Sequence, residues 1–143
     1  MMDVNKIFNL FDDSGSGSLQ PKSQDPSISL EEYKNHPLFW VGMFKKLISN
    51  YHLFTMLAHN LDEEVSSKYT GEERQNYFYN RGWDFISKVN PEDKLCQEAL
   101  FRYADKELEY IFILTLNHFQ DLEEYEKCAH LKKNLDFVKL LLT

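Results

Sequence analysis

From Leu38 onwards the apolar residues recur at intervals of three and four, and no segment alternates with period two for long enough to suggest a sheet. The stretch 38–60 carries Leu38, Phe39, Trp40 and Val41, then Phe44, Leu47, Ile48, Tyr51, Phe54 and Ala58, with Lys45, Lys46, Asn50 and His52 elsewhere. That is the stripe of an amphipathic helix. The pattern returns over 91–116 (Leu95, Ala99, Leu100, Tyr103, Leu108, Ile111, Phe112, Leu116) and over 121–142 (Leu122, Tyr125, Ala129, Leu131, Leu135, Val138, Leu142).

Start signals divide the chain at intervals that suit a bundle. Ser29-Leu-Glu-Glu32, Thr70-Gly-Glu-Glu73 and Asp121-Leu-Glu-Glu124 each place a capping side chain three positions before a Glu that can return the hydrogen bond. Asn90-Pro91-Glu92-Asp93 adds a cap residue, a proline at the first helical position and acids at the positive end of the helix dipole. Asn60-Leu-Asp-Glu63 is a weaker signal of the same kind. The expectation is an all-α helical bundle of about four main helices. The last two form an antiparallel hairpin about a turn at Asn117 to Gln120.

The first 28 residues follow another pattern. Asp3 to Phe11 is one short amphipathic segment, and Asp12 to Ser27 is rich in Ser, Gly, Pro, Asp and Gln. The chain therefore divides into 1–28, a short peptide plus polar linker, and 29–143, the bundle. Asp12, Ser14, Ser16, Gly17 and Leu19 resemble the start of an EF-hand calcium loop. Position twelve of such a loop, where a bidentate Glu belongs, is Ser23, and prolines replace the exiting helix, so a tether is the favoured interpretation. At the free end of that tether Ile7, Phe8, Leu10 and Phe11, followed by Asp12 and Asp13, are similar to the Leu-Phe-ended peptides that bind bacterial and phage sliding clamps. Ile7 stands where that family usually has Gln. The cluster can equally pack on the chain's own core.

Composition adds charge and rings to this picture. The net charge of −7 argues against direct attraction to nucleic acid or anionic lipid and suits a basic protein surface. No apolar stretch approaches the ~20 residues of a membrane span. Cys96 and Cys128 lie in helical apolar patterns and read as reduced core thiols of a cytoplasmic protein. Aromatic content of 15% exceeds what most small cores need, so some rings are expected to meet a partner. On the helix after Thr70, Arg74, Tyr77, Phe78 and Arg81 fall at zero, three, four and seven, the composition of an interface hot spot. The pair Arg81-Gly82 marks a candidate kink.

In the C-terminal helix Tyr125, Glu126, Cys128, Ala129, Leu131 and Leu135 resemble the UVR motif, with Lys132 replacing its Arg and Lys133 reversing its acid. The resemblance implies a helical hairpin that pairs with another hairpin through small residues. Tyr125 and Glu126 thereby join the candidate partner-binding residues, and a homodimer through the hairpin is one arrangement open to the chain.

Chemistry finds no constellation in the sequence. His52 and His59 are about 10.5 Å apart along a helix, too far to share one metal without other ligands. Glu126 with His130, and His59 with Glu63, are ordinary helix-surface pairs. Cys128 and His130 point to different faces and cannot act together as nucleophile and base. No phosphate-binding glycine loop, Cys-x-x-Cys or Gly-x-Ser-x-Gly occurs. The expected function is a protein-protein interaction module, an adaptor or regulatory subunit without enzymatic activity, metal or cofactor. The alternative is an acidic inhibitor of phage type that occupies a basic nucleic-acid groove, with Asp62, Glu63, Glu64, Glu72, Glu73, Glu123 and Glu124 standing in for phosphates.

Overall fold

The computed structural model describes residues 29–60, 64 and 71–143. The chain forms two compact units, Met1–Lys34 and Asn35–Thr143. Of the first unit the described part is one short helix, α1 (Leu30–Lys34), which buries no residue. Ser29 starts it as the capping pattern predicts, its Oγ accepting from the Glu32 N–H at 3.1 Å. Ile7, Phe8, Leu10 and Phe11 lie outside the described residues, as do the tether and the capping residues Asn60-to-Glu63 beyond their first position.

The second unit is all helical among its described residues: α2 (Pro37–Ala58), α3 (Glu72–Ile86), α4 (Lys94–Tyr103), α5 (Lys106–Asp121) and α6 (Tyr125–Leu141). The longest helix, α2, packs against α3, α4 and α5, and α5 pairs with α6. Pro37 opens α2 because an unsatisfied first-turn N–H is lost at no cost there, and His36 Nδ1 accepts from the Leu38 N–H at 3.0 Å. The core is Val41, Phe44, Leu47, Ile48 and Tyr51 of α2 against Phe78, Tyr79 and Ile86 of α3, Cys96, Ala99 and Leu100 of α4, Leu108, Ile111, Phe112 and Phe119 of α5, and Leu131, Leu135 and Val138 of α6.

Two expected boundaries are corrected. The stretch 91–116 is not one helix. Asn90 Oδ1 accepts from the Glu92 N–H at 3.0 Å and makes a turn, leaving Asp93 to cap α4 through the Cys96 N–H at 3.1 Å. Ala104 then turns extended (ψ 120°) and Asp105 caps a new helix, its Oδ1 taking the Leu108 N–H at 2.7 Å. Asn117 to Gln120 is likewise not a turn. Asp121 is the last residue of α5, and the connection is Leu122 to Glu124.

Glu123 sits there at φ 59°, the left-handed conformation that ends many helices, and the Glu124 N–H reaches back to the Phe119 carbonyl at 3.0 Å. The resulting hairpin is antiparallel: Cys128 Sγ lies 3.9 Å from the Leu116 carbonyl, and the Lys127 ammonium sits 4.7 Å from the Phe119 ring centroid.

α6 also closes the far end of α3. His130, with Nε2 protonated, donates to the Ile86 carbonyl at 2.8 Å, and Asn134 Nδ2 donates to the Val89 carbonyl at 3.2 Å. The Ile86 carbonyl closes the last turn of α3, where it also accepts from the Val89 N–H at 3.0 Å, and Val89 lies in the turn that follows.

Candidate protein-binding surface

α2 and α3 run antiparallel. Phe39 meets Phe85 edge to face (5.7 Å), Gly82 lies against Ile48 and Phe44, and Tyr51 stacks on Phe78 (4.8 Å, 19° between planes). α3 is unbroken through Arg81-Gly82, so the candidate kink is absent. Glycine serves close approach instead: a Cβ at Gly82 would stand 2.9 Å from Ile48 Cδ1.

The opposite face of α2 follows the register Gly42, Lys45, Ser49, Leu53, Met56. At its first part Tyr103, the last residue of α4, lies on Gly42 so closely that a Cβ there would be 2.7 Å from its Oη. Lys45 follows, paired with Asp105 at 2.7 Å and Glu107 at 3.8 Å, its ammonium 5.9 Å from the Tyr103 ring centroid. Burial alone would raise the Asp105 carboxyl, but the Lys45 ammonium and the Leu108 and Glu107 N–H groups hold it below its usual range.

Beyond Ser49 this face is bare among the described residues. Leu53 is 54% exposed, Met56 55% and Leu57 49%, on adjacent turns of one helix. Tyr110 of α5, 48% exposed, extends the surface through His52, whose ring it meets edge to face at 5.4 Å. Single exposed apolar residues are ordinary, whereas three on one helical face form a patch.

The structure divides the predicted hot-spot face. Phe78 is buried under Tyr51 and belongs to the core, while Tyr77 is 61% exposed and meets Phe78 edge to face at 5.3 Å. Arg74 is exposed and lies within electrostatic reach of the Tyr51 hydroxyl. Arg81 is exposed, 5.3 Å over the Phe85 ring and 3.9 Å from Asp84. Trp83, their neighbour, is spent inside, edge to face with Phe119 (6.0 Å) and His130 (5.3 Å). On α6, Tyr125 is 63% exposed and Glu126 exposed, at the hairpin end. The small residues expected to let hairpins approach are split, Cys128 half-buried and Ala129 exposed.

Sequence reasoning passed over Leu53, Met56 and Leu57. The signal was present, since α2 carries apolar residues round its whole circumference, which a helix covered on one side does not need.

Of the acids, Glu64, Glu72, Glu73 and Glu123 are exposed and Glu124 pairs with Lys127 at 3.2 Å; Asp62 and Glu63 lie outside the described residues. Glu72 and Glu73 make no ion pair with another described residue, although they open α3, where its dipole favours them.

Buried titratable groups cluster elsewhere. Tyr79 stacks on His118 (4.3 Å, 14°), and burial, with the Tyr51 and Tyr110 hydroxyls nearby, pushes the Tyr79 phenol up to about 12. His118 is 8% exposed, and its Nε2 has no partner among the described residues. Burial holds its imidazole below the ordinary value, against the opposing pull of Glu124 and Asp121.

Both cysteines are free thiols, and burial raises each. Among the described residues no three His, Cys, Asp or Glu side chains gather as metal ligands, and no helix is long and apolar enough to cross a membrane. No protein-family model, no curated protein and no solved structure matches the chain.

Proposed function

We propose that this protein acts by binding another protein, as an adaptor or regulatory subunit without chemistry of its own, and that the bare face at the end of α2 is where it binds. The observation that carries this reading is the adjacency of Leu53, Met56 and Leu57 on one exposed helical face, an arrangement that costs solubility unless something covers it. Arg74, Arg81, Tyr125 and Glu126 are further candidate contacts, as are Ile7, Phe8, Leu10 and Phe11.

The test uses the full chain as bait in extract of its native cell. A partner retained in stoichiometric amount by the wild type and lost with Leu53→Ser/Met56→Ser supports the reading. Retention unchanged by that variant, and by Tyr77→Ala with Arg81→Ala, overturns it.

The net charge of −7 supports a second reading, an acidic inhibitor seated in a basic nucleic-acid groove. Its mark would be a captured nucleic-acid-binding protein whose hold falls steeply as salt rises and ignores the Leu53→Ser/Met56→Ser change.

A further inference from the structure

We propose that the flank of α3 carrying Arg81, Phe85 and Lys88 binds an acidic helix of a partner protein, as a second surface apart from the bare face of α2. Positions 81, 85 and 88 are spaced by four and three and so form one stripe. Lys88 stands in the turn after α3, where the Ser87 N–H reaches the Trp83 carbonyl at 2.9 Å and the Lys88 N–H the Phe85 carbonyl at 3.2 Å, so the helical course carries on to it. Tyr77, 61% exposed, continues the stripe one turn back.

The contacts set this stripe along the seam with α2, where rings hold the cations. Phe85 meets Phe39 edge to face at 5.7 Å and has the Arg81 guanidinium 5.3 Å from its centroid. The Lys88 ammonium lies 5.5 Å from the centroid of Trp40. Both cationic residues stay exposed while their positions are fixed on aromatic surface. Cations ordered in advance lose less freedom when a partner's carboxylate arrives.

Charge along this seam is opposite to that of the chain. Asp and Glu number 23 against 16 Lys and Arg, but the 22 residues of α2 include neither Asp nor Glu, so α2 supplies no carboxylate to Arg81 or Lys88. The first turn of α2, which ends at Trp40, has no acid to offset the positive end of its dipole. Asp84 lies 3.9 Å from Arg81, both side chains more than half exposed, a pair that contributes little. Lys88 makes no ion pair with a described residue.

Arg81 and Lys88 are seven residues apart, about 10 Å along the axis. A partner helix repeats its own face at that interval. Glu or Asp residues seven apart, with an apolar residue between them, would put a carboxylate at each cation and apolar surface on Phe85. Nucleic acid fits less well, because Phe85 and Trp40 already carry cations where bases would stack, and two cations on a chain of −7 gain little from phosphates.

The test measures fluorescence anisotropy of labelled probes with the full chain. The probes are an amphipathic Leu/Glu helix of about 18 residues, its Leu/Lys counterpart and a single-stranded oligonucleotide. The Leu/Glu probe is expected to bind best. Arg81→Ala/Lys88→Ala is expected to weaken it at least about tenfold and to flatten its salt dependence, and Tyr77→Ala to weaken it by about threefold. Lys133→Ala/Lys139→Ala removes two exposed cations of α6 and changes the net charge equally, yet is expected to leave binding as it was. Circular dichroism checks that each variant keeps its helices.

Equal binding of the Leu/Lys probe overturns the acidic partner, and equal binding of the oligonucleotide overturns a protein in favour of nucleic acid. No effect of Arg81→Ala/Lys88→Ala, or the same effect from Lys133→Ala/Lys139→Ala, overturns the site. A wild-type dimer that Arg81→Ala/Lys88→Ala dissociates overturns the occupant in favour of a second copy. Leu53→Ser/Met56→Ser is expected to leave the Leu/Glu probe bound, and its release by that variant overturns the stripe as a separate surface. Failure of the stripe by these measures leaves native-cell capture through the α2 face untouched, and failure of that capture leaves the stripe.

Discussion

At the scale of single residues, His118 ties the stability of the fold to pH near neutrality. His118 lies flat on Tyr79 with Nε2 unpartnered, and burial keeps its imidazole below the ordinary 6.5, so the folded state resists the proton that the unfolded chain accepts. Stability from this residue is complete above about pH 6.5 and is lost as pH falls through that value towards the lower folded one. Glu124, Asp121 and Lys127 face the ring from the hairpin end, the acids opposing the depression and the lysine adding to it. Asp105 shifts downward too, but its contribution is lost only near and below its ordinary 3.8, outside this window. His118→Phe keeps a flat ring against Tyr79 and removes the titration. Urea midpoints at about pH 7.5 and about pH 5.5 should therefore fall less on acidification in the variant than in the wild type. The other histidines are common to both proteins, so the difference isolates His118. An equal fall in the two proteins would show that the buried imidazole takes no part.

At the scale of elements, the joint between α2 and α4 includes one close approach, a glycine under a ring. A methyl at Gly42 would lie 2.7 Å from Tyr103 Oη and 3.1 Å from Cζ, and a ring has no flexible end to yield. Overpacking of this kind costs about 1–3 kcal/mol, against about 1 kcal/mol that alanine gains over glycine inside a helix. Gly42→Ala should lower stability by about 1 kcal/mol in urea denaturation, and adding Tyr103→Phe, which removes the nearer atom, should restore part of the loss. A stabilised single variant would mean that Tyr103 moves aside freely. This joint was invisible in the sequence, because nothing in the local pattern pairs Gly42 with Tyr103. Helix existence was legible, since periods of three and four are set by which face is buried. The division of 91–116 was missed because Leu95, Ala99, Leu100, Tyr103, Leu108, Ile111 and Phe112 keep the period across the break. The evidence for a break was chemical: Asp105 followed by Glu107 and Glu109 is an N-cap with acids in the first turn. At the hairpin the error ran the other way. Asp121 and Glu124 match a capping box, but a left-handed Glu123 closes α5 and leaves Asp121 inside it.

At the scale of the whole chain, the question is which apolar residues serve folding and which are held for something else. Composition showed a surplus of rings and hydropathy showed where helices lie, but neither assigns a residue to core or surface once a helix is apolar on several sides. Phe78 and Tyr77 make the point: neighbours in sequence and alike in chemistry, one stacks under Tyr51 and the other stands 61% exposed. On α2 the same ambiguity hid Leu53, Met56 and Leu57, which differ from Phe44 and Ile48 only in what the rest of the chain lays against them. Stability measurements separate the two classes without knowledge of any partner. Phe112, fully buried and packed 4.9 Å from Phe44, should cost about 3–5 kcal/mol when cut to alanine. Leu53→Ser/Met56→Ser/Leu57→Ser removes three side chains of comparable apolarity from a half-exposed face. Exposed substitutions fall within about 0.5 kcal/mol each, and for a chain of this length 1 kcal/mol moves Tm by about 2–4 °C, so the triple change should shift Tm by no more than about 6 °C. A Tm drop comparable with that of Phe112→Ala would place these residues in the folding core and withdraw the face as a surface for binding. A small shift, joined to loss of the partner in capture, would show that the end of α2 carries apolar area the fold does not need.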